Sequence, residues 1–164
     1  MDALDSKAIA LLAKSGRMSW AELAQQLGLS APAAADRVRK LEESAVITGY
    51  AALIDPVQLG QTITAFIAVT YGKSKHRKLF LKAIHRIPEI VECHHVATAE
   101  DFLLKVITRD TTHLDHLITN QIRAIPGVLR TNTTVVLSTQ KQGPFQPGYS
   151  VTPSVSGMPD TSQT

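Results

Sequence analysis

The sequence predicts an α+β protein made of two unlike domains. Residues 3–45 place apolar side chains three and four positions apart, which is the spacing of one face of a helix. Residues 62–139 instead alternate strand-like stretches of period two with helical stretches. A chain of 164 residues is long enough for two small domains of this kind. We therefore expect a helical N-terminal domain followed by a domain of sheet and helices.

Three short helices are predicted in the N-terminal domain. The first covers residues 3–15, and Gly16 ends it. The second begins at Ser19, whose spacing to Glu22 is that of a capping box, and Gly28 can end it in a left-handed conformation. The apolar face of this helix repeats at positions i, i+3, i+4 and i+7, and consists of Trp20, Leu23, Ala24 and Leu27.

The third predicted helix has two distinct faces. Ser30 is a favourable N-cap, and Pro32 is tolerated in a first turn. The apolar face, which should pack on the preceding helix, consists of Ala31, Ala34, Ala35, Val38 and Leu41. The polar face consists of Ala33, Asp36, Arg37 and Lys40. A projecting face with two cations and short neighbours is what a recognition helix in the DNA major groove requires. From this stretch alone, an ordinary helical hairpin with a solvated face is an equal alternative.

A change to β-type residues follows the third helix. Residues 46–54 favour a strand or wing, and Asp55-Pro56 ends it. The resulting prediction is a winged helix-turn-helix domain over residues 1–50 and a strand and linker over residues 51–61.

The second half of the chain repeats a strand–helix–strand plan. Strands are predicted at 62–71, 90–97, 102–109 and 130–139. One helix covers 74–87, and a second follows Asp110. The order βαββαβ is the ferredoxin-like plan, which we assign to residues 62–141. Because both helices lie on one face of such a sheet, a partner subunit is the expected cover for the other. Residues 142–164, rich in Gly, Pro, Ser and Thr, are predicted to be a disordered tail.

Composition excludes several classes of protein. The net charge of +3 does not come from residues 1–50, which hold six cations and six anions, so bulk charge does not argue for nucleic acid. The prediction of nucleic-acid binding depends instead on the local placement of Arg37, Arg39 and Lys40. No run of 18 apolar residues and no signal peptide are present, and the single Cys93 favours a reducing cytoplasm. Nucleophilic triads, phosphate loops and paired catalytic carboxylates are absent, so neither an enzyme nor a cofactor is expected.

Four segments carry a resemblance to a known family: LDSKAIALLAKSGRMSWAELAQQLGLS, RVRKLEESAVITGYAALIDP, IPEIVECHHVATAEDFLLKV and IPGVLRTNTTVVL. In this order and spacing, the chain resembles the Lrp/AsnC (leucine-responsive, feast/famine) transcription regulators from Leu4 to about Lys141. The resemblance implies a winged DNA-binding domain and a C-terminal domain for effector binding and oligomerisation. It also implies homodimers that often assemble into octamers and bind small ligands, commonly amino acids, between subunits.

The predicted function is therefore sequence-specific regulation of transcription on double-stranded DNA. Ser19 and Trp20 open the support helix, and the Ser30 hydroxyl or the helix N-terminus is expected to contact phosphate. The groove-facing side chains are expected to be those of the polar face, with Arg39 directed toward the DNA backbone. The predicted DNA-binding residues are Ser19, Trp20, Ser30, Ala33, Asp36, Arg37, Arg39 and Lys40.

The same resemblance places an effector at the turn between the second and third strands, at Ala97, Thr98, Ala99, Glu100 and Asp101. The family pattern there is approximately V-T-G-x-Y-D-Y-L-L. This chain has Thr98 at the glycine position and Glu100 at the aromatic position. Asp101 or Glu100 could receive a ligand ammonium group. Because glycine allows close backbone approach, its loss leaves open an amino acid, another metabolite or no ligand.

Histidines suggest two alternatives. His113 and His116 share a helix face, and with His94 or His95 from a strand they could bind a metal in a metal-responsive regulator. Exposed or interface histidines are the simpler interpretation, and no metal site is predicted. The siroheme decarboxylases of the haem pathway, which resemble Lrp/AsnC proteins, provide an enzyme alternative in which His94 and His95 would lie near a tetrapyrrole.

Overall fold

The computed structural model describes residues 1–72 and 77–143, and the chain divides into two compact units, Met1–Ala52 and Leu53–Lys141. The first unit contains three helices: α1 (Ala3–Lys14), α2 (Trp20–Leu27) and α3 (Ala31–Glu43). Their bounds agree with the predicted helices to within one residue at most ends. The helix-turn-helix part of the prediction is therefore confirmed.

Small residues let the three helices of the first unit approach closely. The core consists of Ala8, Leu11, Leu12, Leu23, Ala24, Leu27, Ala34 and Val38. Leu29 packs against this core from the corner between α2 and α3. The apolar face of α2 is buried from Leu23 onward, whereas Trp20 at its first position exposes 47% of its surface. Its position in the first turn carries the indole ring past the end of the core.

Side chains cap the start of every helix in the first unit. Ser19 and Glu22 form the predicted capping box of α2, and the Ser30 hydroxyl accepts a hydrogen bond from the N–H of Ala33 at the start of α3. Gly28 ends α2 at φ 70, in the left-handed region that glycine adopts without steric cost. An unpredicted capping box of Asp2 and Asp5 opens α1.

The strand predicted at residues 46–54 is absent from the structure, so the wing assignment is wrong for this single chain. The N–H groups of Val46 and Ile47 both donate to the carbonyl of Leu41, which closes the end of α3 instead. No strand in the described residues pairs with this stretch, and an isolated strand leaves its backbone groups without partners. Leu53 and Ile54 remain largely exposed, and a short 3₁₀ helix, Val57–Leu59, follows.

The second unit has the predicted ferredoxin-like arrangement. Its elements are β1 (Ile63–Tyr71), α4 (Arg77–Ile84), β2 (Ile90–His95), β3 (Phe102–Thr108), α5 (Thr111–His116) and β4 (Val128–Val135). The four strands lie in the order β2-β3-β1-β4, and each neighbouring pair is antiparallel. The second predicted helix is irregular, because α5 continues as a wider π-helix over Leu117–Ile122.

The two faces of the sheet differ in what covers them. Alternate residues of the central strands face the helices and are buried: Ala65, Ile67, Val69, Phe102, Leu104 and Val106. The side chains between them, including Phe66, Leu103 and Ile107, are only half-buried and point to the opposite face. No helix in the described residues is both long and apolar enough to cross a membrane. The predicted tail lies almost entirely outside the described residues.

Candidate nucleic-acid interface and effector turn

The outward side of α3 is set by the burial of its other side. Ala34, Val38 and Leu41 are buried in the first unit, which leaves Ser30, Pro32, Ala33, Arg39 and Lys40 exposed. The predicted polar face lines one open cleft of about 700 Å³ together with residues at the start of α1. The residues of the polar face in this cleft are Ala33, Asp36, Arg37 and Lys40.

Two cations on this face share one carboxylate. Asp36 pairs with Arg39 one turn later and with the Nζ atom of Lys40 at 2.8 Å. Arg39 also lies 3.2 Å from an oxygen of Glu43. The side chains of Arg39 and Lys40 are 61% and 69% exposed, so water screens these pairs and they are individually weak. Both cations are therefore available to exchange partners.

The charge of Asp36 is fixed at neutral pH. Hydrogen bonds from Lys40 and then from Arg39 lower the pKa of Asp36 to about 2. Because the folded-state pKa lies below the ordinary value, the pairs contribute above pH 3.8 and are lost as the pH falls toward about 2. Asp36 is therefore an ionised carboxylate at any near-neutral pH at which the protein would bind DNA.

Arg37 has a different environment from its neighbours. Its guanidinium donates to Asp2 at 2.7 Å and also to Asp5, and only 25% of the side chain is exposed. The Asp5 backbone N–H and then Arg37 lower the pKa of Asp2, while the Asp2 backbone N–H and then Arg37 lower that of Asp5. Arg37 therefore connects α3 to the start of α1, although the sequence predicted a side chain free to face the groove.

Sequence reasoning missed the acidic partners on α3 and α1. The i,i+3 and i,i+4 spacings of Asp36 to Arg39 and Lys40 were visible in the sequence and are typical of helix ion pairs. The spacing of Asp2 to Asp5 could have been interpreted as an N-cap. Their contact with Arg37 joins residues more than 30 positions apart and has no local signal.

Two further predicted DNA-binding residues lie at the start of α2. The Ser19 hydroxyl lies 2.7 Å from a carboxylate oxygen of Glu22, inside the capping box. Trp20 follows with about half of its surface exposed. Both residues are on the surface of the first unit, and their contact with DNA remains a prediction.

In the predicted effector turn, Asp101 has a structural contact. Its carboxylate accepts the backbone N–H of Tyr71 at 2.6 Å, and its own N–H donates to the carbonyl of Val69. The Tyr71 hydroxyl in turn donates to the carbonyl of Pro126 at 3.1 Å. A Cβ on Gly127 would lie 2.6 Å from the Tyr71 ring, so only glycine fits there. Asp101 thus fixes the end of β1 to the turn.

Thr98 and Glu100 contact each other at the tip of this turn, where Ala97 and Ala99 are also exposed. The Thr98 hydroxyl donates to the carbonyl of Glu100 at 3.1 Å, and the Glu100 carboxylate lies 3.9 Å from Arg130. Among the described residues, Ala45 is the non-glycine residue with positive φ, so Thr98 needs no left-handed conformation. The missing glycine therefore does not strain the turn.

The histidines do not converge on a metal-like arrangement. His113 lies 3.1 Å from Glu89, and its other ring nitrogen accepts the N–H of Arg109 at 3.5 Å. His94 lies beside Glu92, whereas His95 stacks on the ring of Phe102. Within residues 1–72 and 77–143, no three His, Cys, Asp or Glu side chains are placed to hold a metal ion. The arrangement does not favour the metal-responsive alternative.

A capped helix-turn-helix with an exposed third helix is a DNA-binding fold, and in this chain a separate ferredoxin-like unit follows it. Comparison with known families agrees: the AsnC-type helix-turn-helix domain matches residues 1–42, and the Lrp/AsnC ligand binding domain matches residues 64–144. The chain belongs to the Lrp/AsnC family and is a transcription regulator rather than an enzyme.

Individual relatives match over nearly their whole length. The proline dehydrogenase transcriptional activator of Rhizobium radiobacter is 33% identical over 144 residues, covering 87% of this chain and 92% of the relative. The leucine-responsive regulatory protein of Haemophilus influenzae is 35% identical, with coverages of 88% and 89%. Transcriptional regulator NMB0573 of Neisseria meningitidis, solved as an L-Met complex, has a TM-score of 0.84 and 27% identity, with coverages of 87% and 94%. These relatives give no support to the decarboxylase alternative.

We predict that Arg37→Ala lowers the unfolding temperature of the first unit by several degrees at pH 7. The substitution leaves Asp2 and Asp5 adjacent to each other without their shared cation. The pKa values of both carboxylates are lowered, so the difference from wild type should be full above pH 3.8 and should vanish well below it. Fluorescence of Trp20, the single tryptophan, reports unfolding of this unit.

Arg39→Ala is the matched control, because its ion pairs are more exposed and should contribute less. Equal unfolding temperatures for wild type and Arg37→Ala at neutral pH would contradict a connecting role for Arg37.

Proposed function

We propose that this regulator binds double-stranded DNA by placing α3 in the major groove, with Arg39 and Lys40 on phosphates. The observation that carries the proposal is the exposed side of α3, where small residues at its N-terminal end leave room for base edges. Ser30 and the first N–H groups of α3 would lie against a phosphate, and Ser19 and Trp20 would lie beside the backbone. Ala33 would face the bases, Asp36 would lie in the groove paired with Arg39 and Lys40, and Arg37 would hold the angle of α3.

Lys40→Ala should weaken binding to every DNA sequence by about fivefold to tenfold at about 0.1 M salt. It removes a phosphate contact and the counterion release that accompanies it, so the slope of log K against log salt should fall by about 0.9 per site. Fluorescence anisotropy on duplexes over a salt series measures both quantities. Lys82→Ala, an exposed lysine on α4 in the other unit, is the control. An unchanged slope would show that Lys40 makes no phosphate contact and does not belong to the interface.

The open face of the sheet supports a homodimer. Phe66 is half-buried on that face between Lys105 and Thr134 on the neighbouring strands, and Leu103 is placed similarly beside Ala68. Apolar side chains in a polar frame suit an isologous interface, in which the same patch on two copies is covered at once. A dimer would also double the number of recognition helices and allow two half-sites to be bound. Assembly of dimers into an octamer is a further step of the same proposal.

Phe66→Asp should convert the protein to a species of 17.8 kDa in light scattering, whereas wild type should have at least twice that mass. The reason is that the substitution places a charge inside the proposed interface, where the neighbouring Lys105 already pairs with Glu92 at 2.9 Å. Leu79→Asp is the control, because Leu79 is exposed on the helix-covered side of the same unit. A wild-type monomer at micromolar concentration would contradict the homodimer.

We also propose that an amino acid binds at the turn of residues 97–101. The structure of a relative was solved with L-Met, which makes L-Met the first ligand to test. Glu100 is better placed than Asp101 to receive an ammonium group, because Asp101 holds the Tyr71 N–H at 2.6 Å, whereas the neighbours of the Glu100 carboxylate are more distant, with the Thr98 hydroxyl at 3.3 Å and Arg130 at 3.9 Å. Thr98 and the N–H groups at the exposed Ala97 and Ala99 would approach the carboxylate.

Glu100→Ala should abolish the heat of binding in calorimetry and leave basal DNA affinity within about twofold, because the turn keeps its anchor at Asp101. Asp115→Ala, an exposed carboxylate on α5, should bind the ligand as wild type does. L-Met is tested first and the other nineteen standard amino acids follow. A DNA-binding protein that responds to none of the twenty would retire the amino-acid version and leave another metabolite or no ligand.

A further inference from the structure

Every cation on the outward side of α3 lies against a carboxylate of the same chain. Arg37 is held by Asp2 and Asp5, and Arg39 and Lys40 converge on Asp36. A face proposed to bind a polyanion thus carries its own anions. The first group is partly buried and joins two helices, whereas the second is exposed and lies within one helix.

We infer that Asp36 is an affinity-limiting residue of the DNA interface, whose carboxylate competes with DNA phosphates for Arg39 and Lys40 and so lowers affinity for DNA of any sequence. The inference rests on the proposed binding of DNA through α3. It gives Asp36 a role opposite to that of a base contact. Asp36 would weaken the contacts that carry no sequence information and leave base-edge contacts to select the site.

Competition follows from geometry and charge. Lys40 Nζ lies 2.8 Å from one oxygen of Asp36, and the guanidinium of Arg39 contacts the other. A phosphate that takes either cation must replace that contact and then lies close to a carboxylate that has lost a partner. The exposed pairs are weak enough to be replaced, so the result is a constant penalty on binding rather than a block.

The penalty does not switch with pH in the neutral range. Two cations lower the pKa of Asp36 to about 2, so its charge persists. The charged groups that face it are Arg39, Lys40 and, farther along the cleft, Arg37, while Glu43 adds a second acceptor for Arg39.

A uniform penalty still has a use for a site-specific regulator. Phosphate contacts strengthen specific and non-specific binding alike, whereas base contacts strengthen only specific binding. Reducing the net positive charge of the recognition helix therefore weakens both complexes by the same factor and leaves the ratio between them to the base contacts. The regulator would then be released sooner from the competing sites of a genome, which number on the order of a million or more.

The test compares Asp36→Asn and Asp36→Ala with Glu42→Gln in the full-length protein. Glu42 lies on the same helix and carries the same charge, but its partner is the Tyr50 hydroxyl, at 2.8 Å, and not a cation. Glutamine keeps an acceptor for that hydroxyl. The control therefore reproduces the change in net charge without releasing Arg39 or Lys40. Two probes are used, a random-sequence duplex and a duplex selected by the wild-type protein from a random library.

Both Asp36 variants should bind the random duplex severalfold more tightly than Glu42→Gln at about 50 mM salt. The slope of log K against log salt should be steeper by less than the value of about 0.9 for a full phosphate contact, because Arg39 and Lys40 already bind phosphate in the wild type. The affinity ratio between selected and random duplexes should stay within about twofold of the wild-type ratio, because the removed penalty is common to both complexes. The alanine variant is needed because asparagine can itself hydrogen-bond adenine, which would add a new base contact. Circular dichroism confirms that each variant is folded.

Two results would overturn the inference. One is random-duplex affinity and slope equal to those of Glu42→Gln. The other is loss of binding by Asp36→Ala on the selected duplex alone, which would make Asp36 a base contact. Failure of the proposed function differs from both: the wild-type protein would then select no sequence, or Lys40→Ala would leave its salt slope unchanged.

Discussion

The packing of α3 on the other two helices is the constraint on which the N-terminal unit depends. Ala34 and Val38 are fully buried against Leu23 and Ala8, which are themselves fully buried. Small side chains at a helix contact allow the helix axes to lie close together. Because one face of α3 is packed in the core, the direction in which its opposite face points is also fixed. Which residues of α3 meet a partner is therefore decided by its apolar side, before any charge is considered.

The cations on the outward side of α3 are of two kinds, which differ in their ion-pair partners. Arg37 reaches across to α1, and its two carboxylates also cap that helix, so removing it would disturb the unit that carries the interface. Arg39 and Lys40 pair within α3, where exposure makes each contact replaceable. Three basic residues within four sequence positions thus differ in role: Arg37 connects two helices, whereas Arg39 and Lys40 make replaceable contacts within α3. Their ion-pair partners in the folded structure are what distinguish them.

Periodicity predicted the parts of the fold in which burial dominates. The alternation in β1 and the helical spacing around Leu23 each mark the face of an element that packs on a core. Such a pattern can be seen within a short stretch of sequence. The strand expected at residues 46–54 failed because β-type residues need a pairing edge, which the sequence cannot supply. Arg37 was placed on the correct face and given the wrong surroundings, because its partners lie more than 30 residues away.

The predicted effector turn likewise contains one residue that holds the backbone in place and others that are free of that role. Asp101 is the acid that this chain shares with the family pattern, and its carboxylate holds the backbone of Tyr71 where β1 ends. Thr98 and Glu100, the two departures from the pattern, lie at the tip, where the described contacts of their side chains are with each other and, at 3.9 Å, with Arg130. A change at the tip can therefore alter what the turn binds while the anchored end keeps its geometry. Departure from the family pattern at Thr98 therefore bears on which ligand the proposed site would select, and it leaves the anchor of the turn at Asp101 unchanged.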